Sequence, residues 1–256
     1  MTKISSLFLS AAVGAAFALA PAIAPADEFN SDQRAAIESI VRDYLISHPE
    51  VLRDAMQALD KKDKEAAEAT QRKVLEDPNS LVFTSKHQAD IGNPNGTATL
   101  VEFFDYNCHY CKGALPDIGR LVKEDTKLKL VLKDFPVLGP GSVEAAKVAI
   151  AAHNQLPGDK FWAFHSKLLA KTGPIGKDEA LAVARDLGLD MTKLAKDMAD
   201  PDVAAGIEET LALADSLQIN GTPTFVVGQQ VVVGAVGYEA LKDKIDAVHQ
   251  CGHATC

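Results

Sequence analysis

Cys108-His109-Tyr110-Cys111 places two thiols where an apolar run gives way to a helix. Residues 99–104 are β-branched and aromatic with no proline, which predicts a buried strand. After Cys111, the apolar residues Leu115, Ile118 and Leu121/Val122 recur at helical spacing. A cysteine at a strand end and helix start meets unpaired backbone N–H groups and the positive end of the helix dipole, both of which favour a thiolate. Cys108 is therefore the candidate nucleophile, with Cys111 about one turn in as the resolving thiol. Lowering a thiol pKa from about 8.5 to about 5 requires roughly 5 kcal/mol, and a helix dipole supplies only about 0.3–2 kcal/mol. Direct N–H···S bonds, and His109 when protonated, are expected to supply the rest. Glu102, six residues before Cys108, could relay protons between the exchanging sulfurs, although alternation with Val101 and Phe103 could instead face it outward. Pro223, in Gly221-Thr222-Pro223-Thr224-Phe225, is placed to open a strand, and X-Pro is the one peptide bond that is cheaply cis.

The segment from Phe104 to Lys112 resembles the active-site segment of DsbA-type thiol–disulfide oxidoreductases. Among these it is most similar to α-proteobacterial DsbA-like and ScsC-like proteins, and the resemblance runs from about residue 80 to about residue 250. It implies an α/β thioredoxin fold with a helical domain inserted between the two βα halves. It also implies that the backbone of Thr222 pairs with a bound substrate chain as an added strand, and it assigns Tyr110, Thr222 and Pro223 to substrate contact. The exchange chemistry needs no cofactor.

The tail ends Val248-His249-Gln250-Cys251-Gly252-His253-Ala254-Thr255-Cys256. In an oxidising compartment a structural Cys251–Cys256 disulfide is the plain reading. Two thiolates with His249 and His253 would also suit zinc or copper(I), with a free or intermolecular thiol as the third possibility. His48, His87, His153 and His165 are scattered and read as surface or satisfied residues. No glycine-rich phosphate loop and no H-E-x-x-H is present.

Residues 1–26 read as a signal peptide. Lys3 precedes an apolar, alanine-rich run too short for a stable anchor, and a small-x-small site at Ala24-Pro25-Ala26 stands before Asp27. Its removal leaves 25 basic and 35 acidic residues, a charge of −10, which argues against nucleic acid or an anionic membrane as partner. Residues 27–80 form a helical arm. Ser31 or Asp32 could cap its first helix, and Ile37, Ile40/Val41 and Tyr44/Leu45 make one apolar stripe. His48-Pro49 breaks it, Val51, Leu52, Met56 and Leu59 make a second stripe, and residues 60–73 are polar and helix-prone. So small a helical pair cannot bury its stripes alone, so it packs on the main domain or, the reading favoured here, on another copy of the chain.

Residues 81–256 form the catalytic domain. Strand signals cover 127–134, 224–227 and 231–233, and helix signals fill an insertion over about 140–219, with a last helix near 238–250. The sequence thus predicts a periplasmic enzyme exchanging disulfides with unfolded or mispaired exported proteins and reset by a membrane redox partner. The arm favours an oligomeric isomerase or reductase. A monomeric DsbA-like oxidase is the alternative, and a copper-binding module using the C-terminal pair is a rival of another class.

Overall fold

The computed structural model describes residues 29–256. The expected signal peptide at 1–26 lies outside them. The described residues fall into two compact units that divide between Ala58 and Leu59. The first contains helix α1 (Ser31–Ser47) and the start of α2 (Glu50–Glu76), with the break at His48-Pro49. The cap of α1 is Asn30, one residue earlier than expected: its side chain accepts from the Gln33 N–H and the Gln33 side chain accepts in return from Asn30 N–H. No residue of α1 is buried, and Ile37, Ile40, Val41, Tyr44, Leu52 and Met56 are all exposed.

The second unit begins at Leu59, so the later turns of α2 belong with the catalytic domain rather than with the arm. Leu75 is buried there and the Gln71 Nε2 donates to the Leu217 carbonyl at 2.7 Å. After a short helix, α3 (Leu81–Thr84), a sheet forms from β1 (Ala89–Gly92), β2 (Ala98–Phe104), β3 (Leu128–Asp134), β4 (Thr224–Val227) and β5 (Gln230–Val233) in the order β1-β3-β2-β4-β5. β2 and β3 are parallel and the other pairs antiparallel. β2 is central and buried on both faces, which explains its near-continuous apolar run. Val101 and Phe103 face a core completed by Leu75, Val82 and Leu217. Leu100 and Phe104 face the larger core, with Ile118 of α4 (His109–Glu124) and Leu241 and Ile245 of α10 (Tyr238–Cys251).

Between β3 and β4 lie five helices: α5 (Pro140–His153), α6 (Asp159–Leu169), α7 (Lys177–Asp186), α8 (Met191–Met198) and α9 (Pro201–Ser216). Two elements gave no readable signal. β1 is four residues at the sheet edge, with Asp and Gly in its span, and α3 is a single turn, so neither is long enough to show the periodicity that reveals longer elements. No helix among the described residues is long and apolar enough to cross a membrane.

Candidate active site

β2 ends at Phe104 and the chain turns through Asp105–Asn107 into α4, whose N-cap is Cys108. The cysteine sulfur takes the place of a capping oxygen: the N–H of Cys111 donates to it at 3.3 Å. The Cys108 thiol donates to the Thr222 carbonyl at 3.1 Å. Both cysteines are buried and neither sulfur is in a disulfide. The bond with Cys111 holds the Cys108 pKa down, burial opposes it, and the Thr222 side chain with the N–H groups of Cys111 and Tyr110 adds to the lowering, bringing it to about 6. Cys111 is pushed far up, first by its hydrogen bond with Cys108, then by burial and by the negative charge of Glu102. One thiol is poised to ionise and its partner to keep its proton.

Glu102 does not face outward. It is 2% exposed, on the same face of β2 as Leu100 and Phe104, beneath α4. Burial, with the charge of Cys108 second, raises its pKa to about 8. A carboxyl titrating there can take or give a proton near neutral pH.

The Thr222-Pro223 peptide is cis and β4 follows at once, so the Thr222 carbonyl faces the nucleophile. Tyr110 is 67% exposed at the mouth of the site. His109 is also exposed, with its ring against that of Tyr110 at 5.8 Å between centroids, and among the described residues it makes no hydrogen bond to the Cys108 sulfur. The polarisation of Cys108 therefore comes from Cys111, Thr222 and the backbone N–H groups, with His109 outside it.

Asp105 and Asn107 carry a role that residue type alone did not reveal. The buried Asp105 carboxylate accepts from the Asn107 N–H at 2.8 Å, the Leu138 N–H at 2.9 Å and the Ser142 hydroxyl at 2.7 Å. Its carbonyl accepts from Cys108 N–H at 3.0 Å. An Asp three residues before the cap can form such an Asx-type turn by accepting from the N–H two residues on, which was the available signal. Asp134, at the end of β3, is a second buried acid, raised to about 8 by burial and then by the charge of Asp105.

Cys251 and Cys256 are joined in a disulfide. His249 is turned away from it, between Asp125 at 2.8 Å and Thr97 at 2.7 Å, and His253 bonds Gln229 at 2.8 Å. Among the described residues no three His, Cys, Asp or Glu side chains converge as a metal site would require. The four donors that the copper reading needs are not brought together.

Residues 99–246 match the DSBA-like thioredoxin domain, more than half of the chain. This chain belongs to that family. Residues 33–66, in the arm, match the N-terminal domain of copper resistance protein ScsC. A thioredoxin-like oxidoreductase from Silicibacter pomeroyi superposes with a TM-score of 0.64 at 39% identity, covering 68% of this chain and 99% of that one. A linker-deletion mutant of Proteus mirabilis ScsC gives 0.65 at 25% identity over 87% of this chain and 97% of that one. Na(+)/H(+) antiporter NhaA 1 of Salinispora arenicola is 33% identical over 59% of this chain, but the match spans only 23% of that protein's length. The DsbA/ScsC-like thiol–disulfide oxidoreductase family is therefore shown, together with the thioredoxin-like fold.

Proposed function

We propose that the protein is exported to the periplasm and exchanges disulfides there with unfolded or mispaired proteins, acting as an oligomeric isomerase or reductase. The observation that carries the reading is the Cys108 sulfur, capping α4 under the Cys111 N–H and opposite the Thr222 carbonyl. In this reading the Cys108 thiolate attacks one sulfur of a substrate disulfide, and the other sulfur leaves as a thiolate. For isomerisation, that thiolate or another on the substrate attacks elsewhere and expels Cys108 unchanged. For reduction, Cys111 gives its proton to Glu102, whose ionised form grows in as pH approaches about 8, and attacks Cys108, releasing the substrate thiolate and closing the Cys108–Cys111 disulfide. A membrane redox partner then returns two electrons and two protons. Thr222 and Pro223 line the substrate side of the thiol, and exposed Tyr110 offers an aromatic contact beside it.

The arm supports the oligomeric form. Its exposed Ile37, Ile40, Val41, Tyr44, Leu52 and Met56 make an apolar surface larger than a lone helix pair keeps in water, and its match to the ScsC N-terminal domain agrees with a dedicated module. Assembly would set several Cys108 sites around one substrate, which suits shuffling better than one-way oxidation.

The test is reactivation of scrambled ribonuclease by the full chain and by an Ile40→Asp/Met56→Asp variant, alongside sedimentation. Strong reactivation that falls with dissociation supports the isomerase. Rapid oxidation of reduced ribonuclease with no reactivation by either protein establishes the monomeric oxidase instead.

A further inference from the structure

The two residues that bracket the C-x-x-C both reach the same irregular stretch of the helical insertion. Asn107, just before Cys108, closes a two-point amide clamp on Ile175: its Oδ1 accepts from the Ile175 N–H at 2.7 Å and its Nδ2 donates to the Ile175 carbonyl at 2.8 Å. The same Nδ2 donates to Ser142 Oγ at 2.9 Å, tying in the first turn of α5. Lys112, just after Cys111, donates from Nζ to the Lys171 carbonyl at 2.8 Å. Between these two anchors, residues 171–176 have no helix or strand of their own, and Gly173 stands at φ +81°. Ile175 is 1% exposed, so the strand of chain is plugged into the core at the Asn107 end.

The fit around this clamp is also close beside Asn107, at Gly141 of α5. A Cβ placed on Gly141 would stand 2.9 Å from the Ile175 carbonyl oxygen, a backbone atom that cannot rotate away. Gly141 thus leaves the room in which the Ile175 carbonyl meets Asn107. Two side chains on the motif and one missing side chain on α5 act on the same short segment.

We propose that segment 171–175 is a positioning strap for the nucleophile. Held at both ends of the C-x-x-C by Asn107 and Lys112, it lets the helical insertion set where the Cys108 sulfur stands relative to the Cys111 N–H. The physical reason is the geometry of the cap. The Cys111 N–H donates to the sulfur at 3.3 Å, a directional contact that a small swing of the turn would break, and that turn hangs on Asp105 and Asn107. If Asn107 loses its clamp, that turn keeps Asp105 but gains freedom to swing the sulfur away from the N–H groups of α4. The insertion is then part of the thiolate's environment, rather than only a cover over the sheet. Asn107 and Lys112 are positioning residues, and neither touches the reacting sulfur in this role. The inference rests on Cys108 being the nucleophile, and the control below separates failure of the one from failure of the other.

The experiment is the pH profile of alkylation of the reduced full-length protein by iodoacetamide, which reads Cys108 because Cys111 is the more deeply buried of the two. Asn107→Ala, Gly141→Ala and Lys112→Met are each expected to move the midpoint upward, by about half a pH unit or more for the first two. Asp190→Ala removes the cap of α8, where Asp190 accepts from the Thr192 and Lys193 N–H groups, and serves as the purely structural control. It should lower the melting temperature and leave the midpoint where it was. If Asn107→Ala fails to fold, Gly141→Ala and Lys112→Met carry the decision. The proposal is overturned if these variants lose stability while their midpoints stay with the unsubstituted protein, or if Asp190→Ala moves the midpoint as far as they do. Loss of the whole alkylation signal in Cys108→Ala confirms the group being read, and its persistence would sink the nucleophile assignment itself.

Discussion

Replacing Glu102 with Gln should flatten the fall of stability with rising pH, and the structure sets the size of the effect. Below pH 4.5 the carboxyl is protonated in both folded and unfolded chains, so it contributes nothing. Between 4.5 and about 8 the unfolded chain ionises Glu102 while the folded chain keeps the proton, so folding takes up a proton and stability declines as pH rises. Above about 8 the loss is complete. At about 1.36 kcal/mol per pH unit, the gap between 4.5 and about 8 is worth roughly 5 kcal/mol. That is an upper bound, because the Cys108 thiolate contributes to the shift. In the protein carrying the Cys108–Cys111 disulfide that charge is gone, burial alone acts, and the gap keeps its sign with a smaller size. The amide of the variant has its own burial cost, but that cost does not vary with pH, so the slope is the quantity to compare. Urea unfolding followed through Trp162, the one tryptophan of the chain, between pH 5 and pH 9 measures it. Glu102→Gln should gain on the unsubstituted protein steadily from pH 5 to about 8 and level off above it. Parallel curves would mean that Glu102 ionises in the folded protein as it does in water, and the proton-relay role would go with them.

Three further outcomes follow from the site and the tail. Cys108→Ala should abolish exchange with a model disulfide, whereas Cys111→Ser should accumulate a mixed disulfide with substrate that mass spectrometry detects. Alkylation of Cys108 in the reduced protein should have its midpoint near 6, with reactivity lost as pH falls through that value, and a midpoint near 8.5 would contradict the capping geometry. Cys251→Ser/Cys256→Ser opens a loop whose ends are five residues apart in sequence and should lower stability by about 2 kcal/mol in denaturant unfolding. Because the buried Ala254 within that loop packs against Gly228, at the far end of β4 from Thr222, exchange activity should stay unchanged.

Much of the site was legible from residue type and order alone. A C-x-x-C between an apolar β-branched run and a helical repeat is local information, and β2, Cys108 at the cap and α4 follow from it directly. The cis-compatible Thr222-Pro223 step, the helical insertion and the break at His48-Pro49 were likewise written in proline placement and apolar periodicity. What could not be read depends on contacts between residues distant in sequence. The facing of Glu102 was ambiguous because a strand buried on both faces has no polar side to set its alternation, and only α4 packing over it decides which side is beneath the sulfur. The extent of the arm was hidden for a similar reason. Residues 60–73 are polar and helix-prone throughout, and only the Gln71 bond to Leu217 and the burial of Leu75 assign the end of α2 to the catalytic unit. The Asn107–Ile175 clamp spans 68 residues, so no local pattern announces it. The sequence by itself determined the pair of thiols at a strand end and helix start and the order of the longer elements, because strand, cap and helix signals act within a few residues. The tertiary structure alone decided which groups surround the sulfur, because burial and long-range hydrogen bonds exist only once the insertion has closed on the sheet.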